Sequence, residues 1–214
     1  MSDTEKSCDF PFKRRGFNVI ISAPSGVGKS TLIQKLLLDG EDLEYSISAT
    51  TREKRHSEIE GVSYYFKTKE EFYTLISKNA FIEYAEVFGN FYGTLSEEIT
   101  KRLESGKDVL FDLDWQGASL VRTKMPEDTI SIFVLPPSIP ELERRIRGRN
   151  QDTEDVILYR MAKARSEISH YYQYDYIIIN DNLDIALAEI KSIILANRLK
   201  RDKLINMEDF IKRL

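Results

Sequence analysis

The chain has 214 residues, 42% of them hydrophobic and 31% charged; that fits one large domain, or one domain carrying insertions, and excludes a disordered body. Thirty-one Lys plus Arg against 35 Asp plus Glu leave a net charge of −4, so no global positive field exists to hold a nucleic-acid polymer or an anionic membrane, and any polyanion must meet a local basic pocket. The single cysteine, Cys8, excludes an intramolecular disulfide and a cysteine-based metal site and points to a reducing compartment.

Residues 1–15 are polar and mixed in charge with no apolar central run, so they read as a mobile amino-terminal tail rather than a secretory signal. No stretch approaches the roughly 20 apolar residues of a membrane span, and the expectation is a soluble cytoplasmic protein. Phe17 to Ser22, with Val19-Ile20-Ile21, has the β-branched run of a buried parallel strand. A glycine-rich turn follows, and from Lys29 to Leu38 the apolar Leu32, Ile33, Leu36 and Leu37 recur at helical spacing. Between Ser46 and Leu95 the text changes. Ser46-Ile47-Ser48 and residues 62–66 suggest small antiparallel strands, Phe72, Leu75 and Ile76 a short helix, residues 81–87 an alternating strand, and residues 88–94 an aromatic turn region. This stretch reads as a small mixed lobe, followed by a helix from about Ser96 to Ser105. Apolar runs at residues 108–113, 129–135 and 176–180 then alternate with helices, the last helix spanning roughly Leu183 to Arg198. Such alternation implies an α/β fold, a mostly parallel sheet flanked by helices.

Ala23-Pro24-Ser25-Gly26-Val27-Gly28-Lys29-Ser30-Thr31 lies between the first strand and its helix, the context of a phosphate-binding loop for ATP. Glycines let backbone N–H groups curl toward phosphate oxygens, and the helix offers its positive end. Lys29 adds a point charge for the β- and γ-phosphates, and the Ser30 hydroxyl is a ligand for Mg²⁺. Ala23 stands where the pattern usually has its first glycine. Asp112 and Asp114 end a later strand, where ligands collect in open α/β sheets. Alone they read as a solvated strand end; beside the loop, Asp112 becomes a candidate for the Mg²⁺ site, directly or through water.

The lobe gathers Arg52 and Arg55 near Ser48, with Tyr64, Glu83, Tyr92 and Thr94 further on. Guanidinium forks and tyrosine hydroxyls suit a second phosphate. Glu83, among apolar neighbours, is either an outward-facing strand residue or an acid buried for a purpose; the pattern leaves both open. Arginines also crowd residues 144–149 and recur at Arg160 and Arg165, some as surface charges and some available to close over a γ-phosphate.

Several of these segments together resemble guanylate kinase: the loop over 22–31, Ser46-Ile-Ser-Ala-Thr-Thr-Arg52 with Arg55, Glu58, Gly61 and Tyr64, Phe81-Ile-Glu-Tyr84, Gly89-Asn-Phe-Tyr-Gly-Thr94, Asp112-Leu-Asp-Trp-Gln-Gly117, and the pair Arg145 and Arg149. The resemblance runs in order from about Asn18 to Leu195. It implies transfer of the γ-phosphoryl group of ATP to GMP, and to dGMP, with Mg²⁺ held near Ser30 and Asp112. The implied plan is a core (16–45, 96–136 and 166–214), a GMP-binding lobe (46–95) and a helical lid (137–165). Residue by residue, Ser48, Glu83, Thr94 and Asp114 would face guanine; Arg52, Arg55, Tyr64 and Tyr92 would hold the GMP phosphate. Arg145, Arg149 and Arg160 would act from the lid, with Lys29 and Arg52 in the catalytic set. Glu53-Lys54 and Ser57 depart from a family turn that often has proline and glycine there. Two other readings stand beside this one: a catalytically inactive, peptide-binding module of the same fold, and a small P-loop kinase for another phosphorylated acceptor. The expected assembly is a monomer or a homodimer.

Overall fold

The computed structural model describes residues 13–39, 42–148 and 153–214. In chain order its elements are β1 (Asn18–Ser22), α1 (Lys29–Asp39), β2 (Leu43–Tyr45), β3 (Ala49–Thr50), β4 (Tyr65–Phe66), α2 (Lys69–Ser77), β5 (Phe81–Val87), β6 (Asn90–Leu95), α3 (Ser96–Glu104), β7 (Asp108–Asp112), α4 (Trp115–Lys124), β8 (Thr129–Leu135), α5 (Ile139–Arg147), α6 (Glu154–Ile168), β9 (Tyr176–Ile179), α7 (Leu183–Arg198) and α8 (Met207–Ile211).

Five strands form a parallel sheet in the order β2-β7-β1-β8-β9. Alternate side chains of a strand face opposite ways, and β1 serves both faces. Val19 and Ile21 enter one core with α1, α5, α6 and α7, while Ile20 joins Ile99, Leu103, Ala118 and Val121 of α3 and α4 in another. This double burial explains the unbroken apolar run. Because all five strands point the same way, the ends of β1, β7 and β9 meet at one sheet edge, with Ile21 in register with Asp112.

The second sheet, β4-β3-β6-β5, has one parallel and two antiparallel pairings. Phe72 of α2 stacks on Phe81 at 4.4 Å and on Phe91 at 5.4 Å between ring centroids, giving the lobe its own small core around Ala49, Phe72 and Phe81.

Several expectations shift. Ser46-Ile47-Ser48 forms no strand; the strand is displaced to Ala49–Thr50. In residues 62–66 only Tyr65–Phe66 is extended, and it runs parallel to β3 rather than antiparallel, because residues 59–64 are used in turn bonds such as Val62 N–H to the Ile59 carbonyl. The aromatic region at 88–94 is half of a hairpin. Phe88 (φ 50°) and Gly89 (φ 78°) make the left-handed two-residue turn that suits strand twist, and residues 90–95 pair along β5. The edge strand β2, three residues long, is too short to show periodicity. The helix α7 is followed by α8.

Residues 1–12 of the expected tail lie outside the described residues, but Lys13–Arg15 are tied down. Arg14 bridges to Leu204 and donates to both Asp108 carboxylate oxygens at 2.6 and 3.1 Å, while Arg15 donates to Asp128. Asp108 is wholly buried and also accepts from Arg198 Nε at 2.7 Å and the Phe17 N–H at 3.2 Å. Removing one partner of such a buried network strands the other charges, so Asp108→Ala should lose about 3–5 kcal/mol of stability in urea unfolding.

Candidate active site

Ser22 donates its hydroxyl to the Leu113 carbonyl at 2.6 Å, joining the turn after β1 to the turn after β7. Gly26 (φ 93°) and Gly28 (φ 101°) supply the left-handed backbone of the loop, a region costly for residues with a β-carbon. Ala23 has no such requirement and packs against the main core. Residues 23–26 and 28–30 line a pocket of about 250 Å³ at the start of α1. Thr31 lies one residue further into the helix and is exposed.

Lys29 forms an ion pair with Asp112 at the end of β7. The two residues expected to serve phosphate and metal are thus brought together and neutralise one another. Ser30 lines the same pocket. The hydroxyl and the carboxylate are hard oxygen donors of the kind Mg²⁺ takes, and that ion commonly relies on one or two protein oxygens, with substrate phosphates and water completing its shell; these residues therefore fit it.

Two side chains grip the loop from behind. Asn180, buried just past β9, donates Nδ2–H to the Val27 carbonyl at 2.8 Å, and a β-carbon on Gly28 would sit 2.9 Å from that nitrogen. Arg145 of α5 donates through Nη1 to the Asn180 carbonyl at 2.8 Å and to the Val27 carbonyl at 3.3 Å, with its Nε on Glu141 at 2.7 Å. Arg144 and Arg145 hold the Glu141 carboxyl down at about 2. Arg160 lies half-buried on α6, and Arg149 lies outside the described residues. Glu167 also lines the loop pocket, and its Oε2 is buried with no hydrogen-bond partner.

Across the lobe sheet, Glu83 pairs in register with Thr94, and Ala49 with Gly93. Ser48 immediately precedes β3, and its carbonyl accepts from the Tyr65 N–H at 2.9 Å. Thr94 is buried and donates its hydroxyl to Glu83 Oε1 at 2.7 Å. Burial pushes the Glu83 carboxyl above its ordinary 4.5; the Thr94 hydrogen bond opposes this and the nearby Asp114 charge adds to it. Asp114 caps α4 by accepting from Gln116 N–H and Gly117 N–H with Oδ1.

A second cluster lies at the other end of β6. The Arg52 guanidinium sits 5.3 Å over the Tyr64 ring, and Tyr64 meets Tyr92 edge-on at 6.0 Å. Arg52 donates to Glu58, and the Arg55 backbone N–H does the same. Tyr45, at the end of β2, is exposed as a residue, but desolvation around its hydroxyl, with the charge of Asp112 and the proximity of Tyr64, pushes that hydroxyl up to about 12. The site therefore consists of a glycine loop with the Lys29–Asp112 pair and a lobe that offers one acid, Glu83 on Thr94, and a basic cluster around Arg52.

The guanylate kinase family pattern matches residues 15–197. The chain belongs to the guanylate kinase family. It is 48% identical over 202 residues to the guanylate kinase of Cereibacter sphaeroides, covering 94% of this chain and 96% of that protein. It is 50% identical to that of Bartonella henselae, covering 94% and 90%. The crystal structure of guanylate kinase from Anaplasma phagocytophilum matches at 36% identity and a TM-score of 0.70, covering 94% of this chain and 96% of that one.

Reasoning from sequence missed Asn180, Tyr45 and Glu167. Asn180 follows Ile177-Ile178-Ile179 directly, and an amide ending an apolar parallel strand is a recognisable signal; Tyr45 and Glu167 carry none. Asn180→Ala would leave a buried carbonyl with one donor fewer, a loss of about 1–3 kcal/mol. In steady-state assays it should raise the KM for ATP well above that of the parent while leaving the KM for GMP near the parent value.

Proposed function

We propose that the residues assembled here catalyse transfer of the γ-phosphoryl group of ATP to GMP, giving ADP and GDP, with the core binding ATP, the lobe 46–95 binding GMP and the segment 137–165 acting as lid. The observation that carries this reading is the half-buried Glu83 carboxylate, hydrogen-bonded to the buried Thr94 and raised by desolvation and the nearby Asp114 charge. An ionised Glu83 accepts from both the N1–H and the 2-amino group of guanine. Adenine offers neither donor there, and a desolvated carboxylate left unpaired rejects it.

The acceptor phosphate has a second pKa near 6, so at neutral pH it is mostly dianionic and needs no strong base. The protein's task is placement and charge. Arg52 and Arg55, with the Tyr64 and Tyr92 hydroxyls, hold the GMP phosphate and offset repulsion between two anions; Ser48 and Asp114 frame the base. Lys29 leaves Asp112 to meet the β- and γ-phosphates. Ser30 and Asp112 would hold Mg²⁺, which when bound neutralises charge on those phosphates. Arg149 and Arg160 close from the lid, whereas Arg145 holds the loop's shape through Val27 and Asn180. The intact Lys29 and Ser30 favour an enzyme over a peptide-binding scaffold of the same fold.

A coupled ADP-release assay with GMP, dGMP, AMP, UMP and CMP tests the substrate, and turnover with AMP matching that with GMP would overturn the guanine reading. Lys29→Met should lower turnover by about 100-fold or more, the scale on which one preorganised charge stabilises a transition state. Guanosine, which lacks the phosphate, isolates Glu83. Its binding needs the ionised acid, so calorimetric affinity should fall on acidification, beginning above the ordinary carboxyl value of 4.5 because burial raises that of Glu83. Glu83→Gln should bind guanosine weakly and without that pH dependence.

A further inference from the structure

Arg52 and Arg55 lie on a segment with little regular structure: between Thr50, where β3 ends, and Tyr65, where β4 begins, there is no helix or strand. Two phosphate-binding arginines on such a segment need something to set their spacing. Proline would restrict the backbone, but Glu53 and Lys54 stand between them.

The Glu58 carboxylate spans the gap. Its Oε1 accepts from Arg52 Nη2 at 2.5 Å, and its Oε2 accepts from the Arg55 backbone N–H at 2.8 Å. The Glu58 N–H in turn donates to the Arg55 carbonyl at 3.1 Å, closing a tight ring. Arg52 Nη1 is held on the Glu53 carbonyl at 2.8 Å, and the guanidinium lies over the Tyr64 ring. Each side chain of the Arg52–Glu58 pair is less than a fifth exposed, although the surrounding residues 53–57 are exposed. The Arg52 contact holds the Glu58 carboxyl below its ordinary 4.5, so it is charged throughout the neutral range.

We propose that Glu58 is a positioning residue for the acceptor phosphate: it fixes the Arg52–Arg55 turn and aims the Arg52 guanidinium, without itself touching the substrate. This rests on the reading of Arg52 and Arg55 as the GMP phosphate site. A carboxylate so close to an arginine has two opposite possible effects on a phosphate. It could compete for the guanidinium, or it could preorganise it. The second Glu58 oxygen favours preorganisation, because it is committed to the Arg55 backbone and ties the whole turn, which simple competition would not require.

The test compares the parent with Glu58→Ala and Glu58→Gln, measuring KM for GMP and for ATP, kcat, thermal midpoint, and calorimetric affinity for GMP and for guanosine. Losing one charge-assisted hydrogen bond corresponds to about tenfold. Glu58→Ala should therefore raise the KM for GMP about tenfold, with the KM for ATP and the thermal midpoint near the parent values. The advantage of GMP over guanosine in binding should shrink by the same factor, because only the phosphate contribution is lost. Glu58→Gln, which keeps one acceptor, should recover part of it. A KM for GMP equal to or below the parent's in Glu58→Ala would overturn the proposal, as would equal losses of GMP and guanosine affinity. If the parent itself binds GMP no better than guanosine, the phosphate-site reading fails instead, which keeps the two failures apart.

Discussion

Cations gathered to receive phosphate repel one another, and a protein that folds before it meets its substrates must compensate that repulsion internally. This constraint shapes the site. Lys29 is paired with Asp112, Arg52 with Glu58, and Arg145 with Glu141 and two backbone carbonyls. Each cation is held where a phosphate is expected or beside the loop that receives one. The net charge of −4 is compatible with a doubly anionic set of ligands because the basic groups are locally concentrated and locally matched.

The internal partners differ in what ligand binding asks of them. In the proposed reaction Asp112 releases Lys29 to the phosphates and turns toward the metal, so that pair would exchange. Glu141 holds the Arg145 Nε while Nη1 of the same guanidinium donates to the Val27 carbonyl. The loop depends on contacts distant in sequence: its curl comes from Gly26 and Gly28, but its fixed position comes from Asn180 and Arg145. These two residues join α5 to the end of β9 and to the glycine loop, so three segments remote in the chain meet at one backbone carbonyl.

Much of the site was legible because its chemistry is local. A strand, a glycine turn with Lys29-Ser30, and a helix are contiguous, and their backbone conformations follow from residue type. The pairing of Thr94 with Glu83 was not legible, since it depends on the register of β5 and β6. Glu83 in particular could have faced outward; only the pairing with Thr94 and the resulting burial decide its environment. Residues 62–64 misled because they are taken up in turn hydrogen bonds, residues 46–48 because their backbone passes from Leu110 of one sheet to Tyr65 of the other without forming a ladder of its own, and residues 88–94 because their aromatic and glycine content hid a left-handed hairpin turn.

The sequence by itself determined the parallel α/β core, through apolar runs long enough for burial on both faces, and the phosphate loop, through glycines whose positive φ needs no partner. It also determined which residue types stood ready for two anions and a purine. The tertiary structure decided which of them meet: the edge where β1, β7 and β9 end together, the burial that raises Glu83, the amide of Asn180 behind the loop, and the Glu58 carboxylate between two arginines. Those are contacts between segments remote in the chain, and their geometry comes from strand register and packing, which residue type alone does not specify.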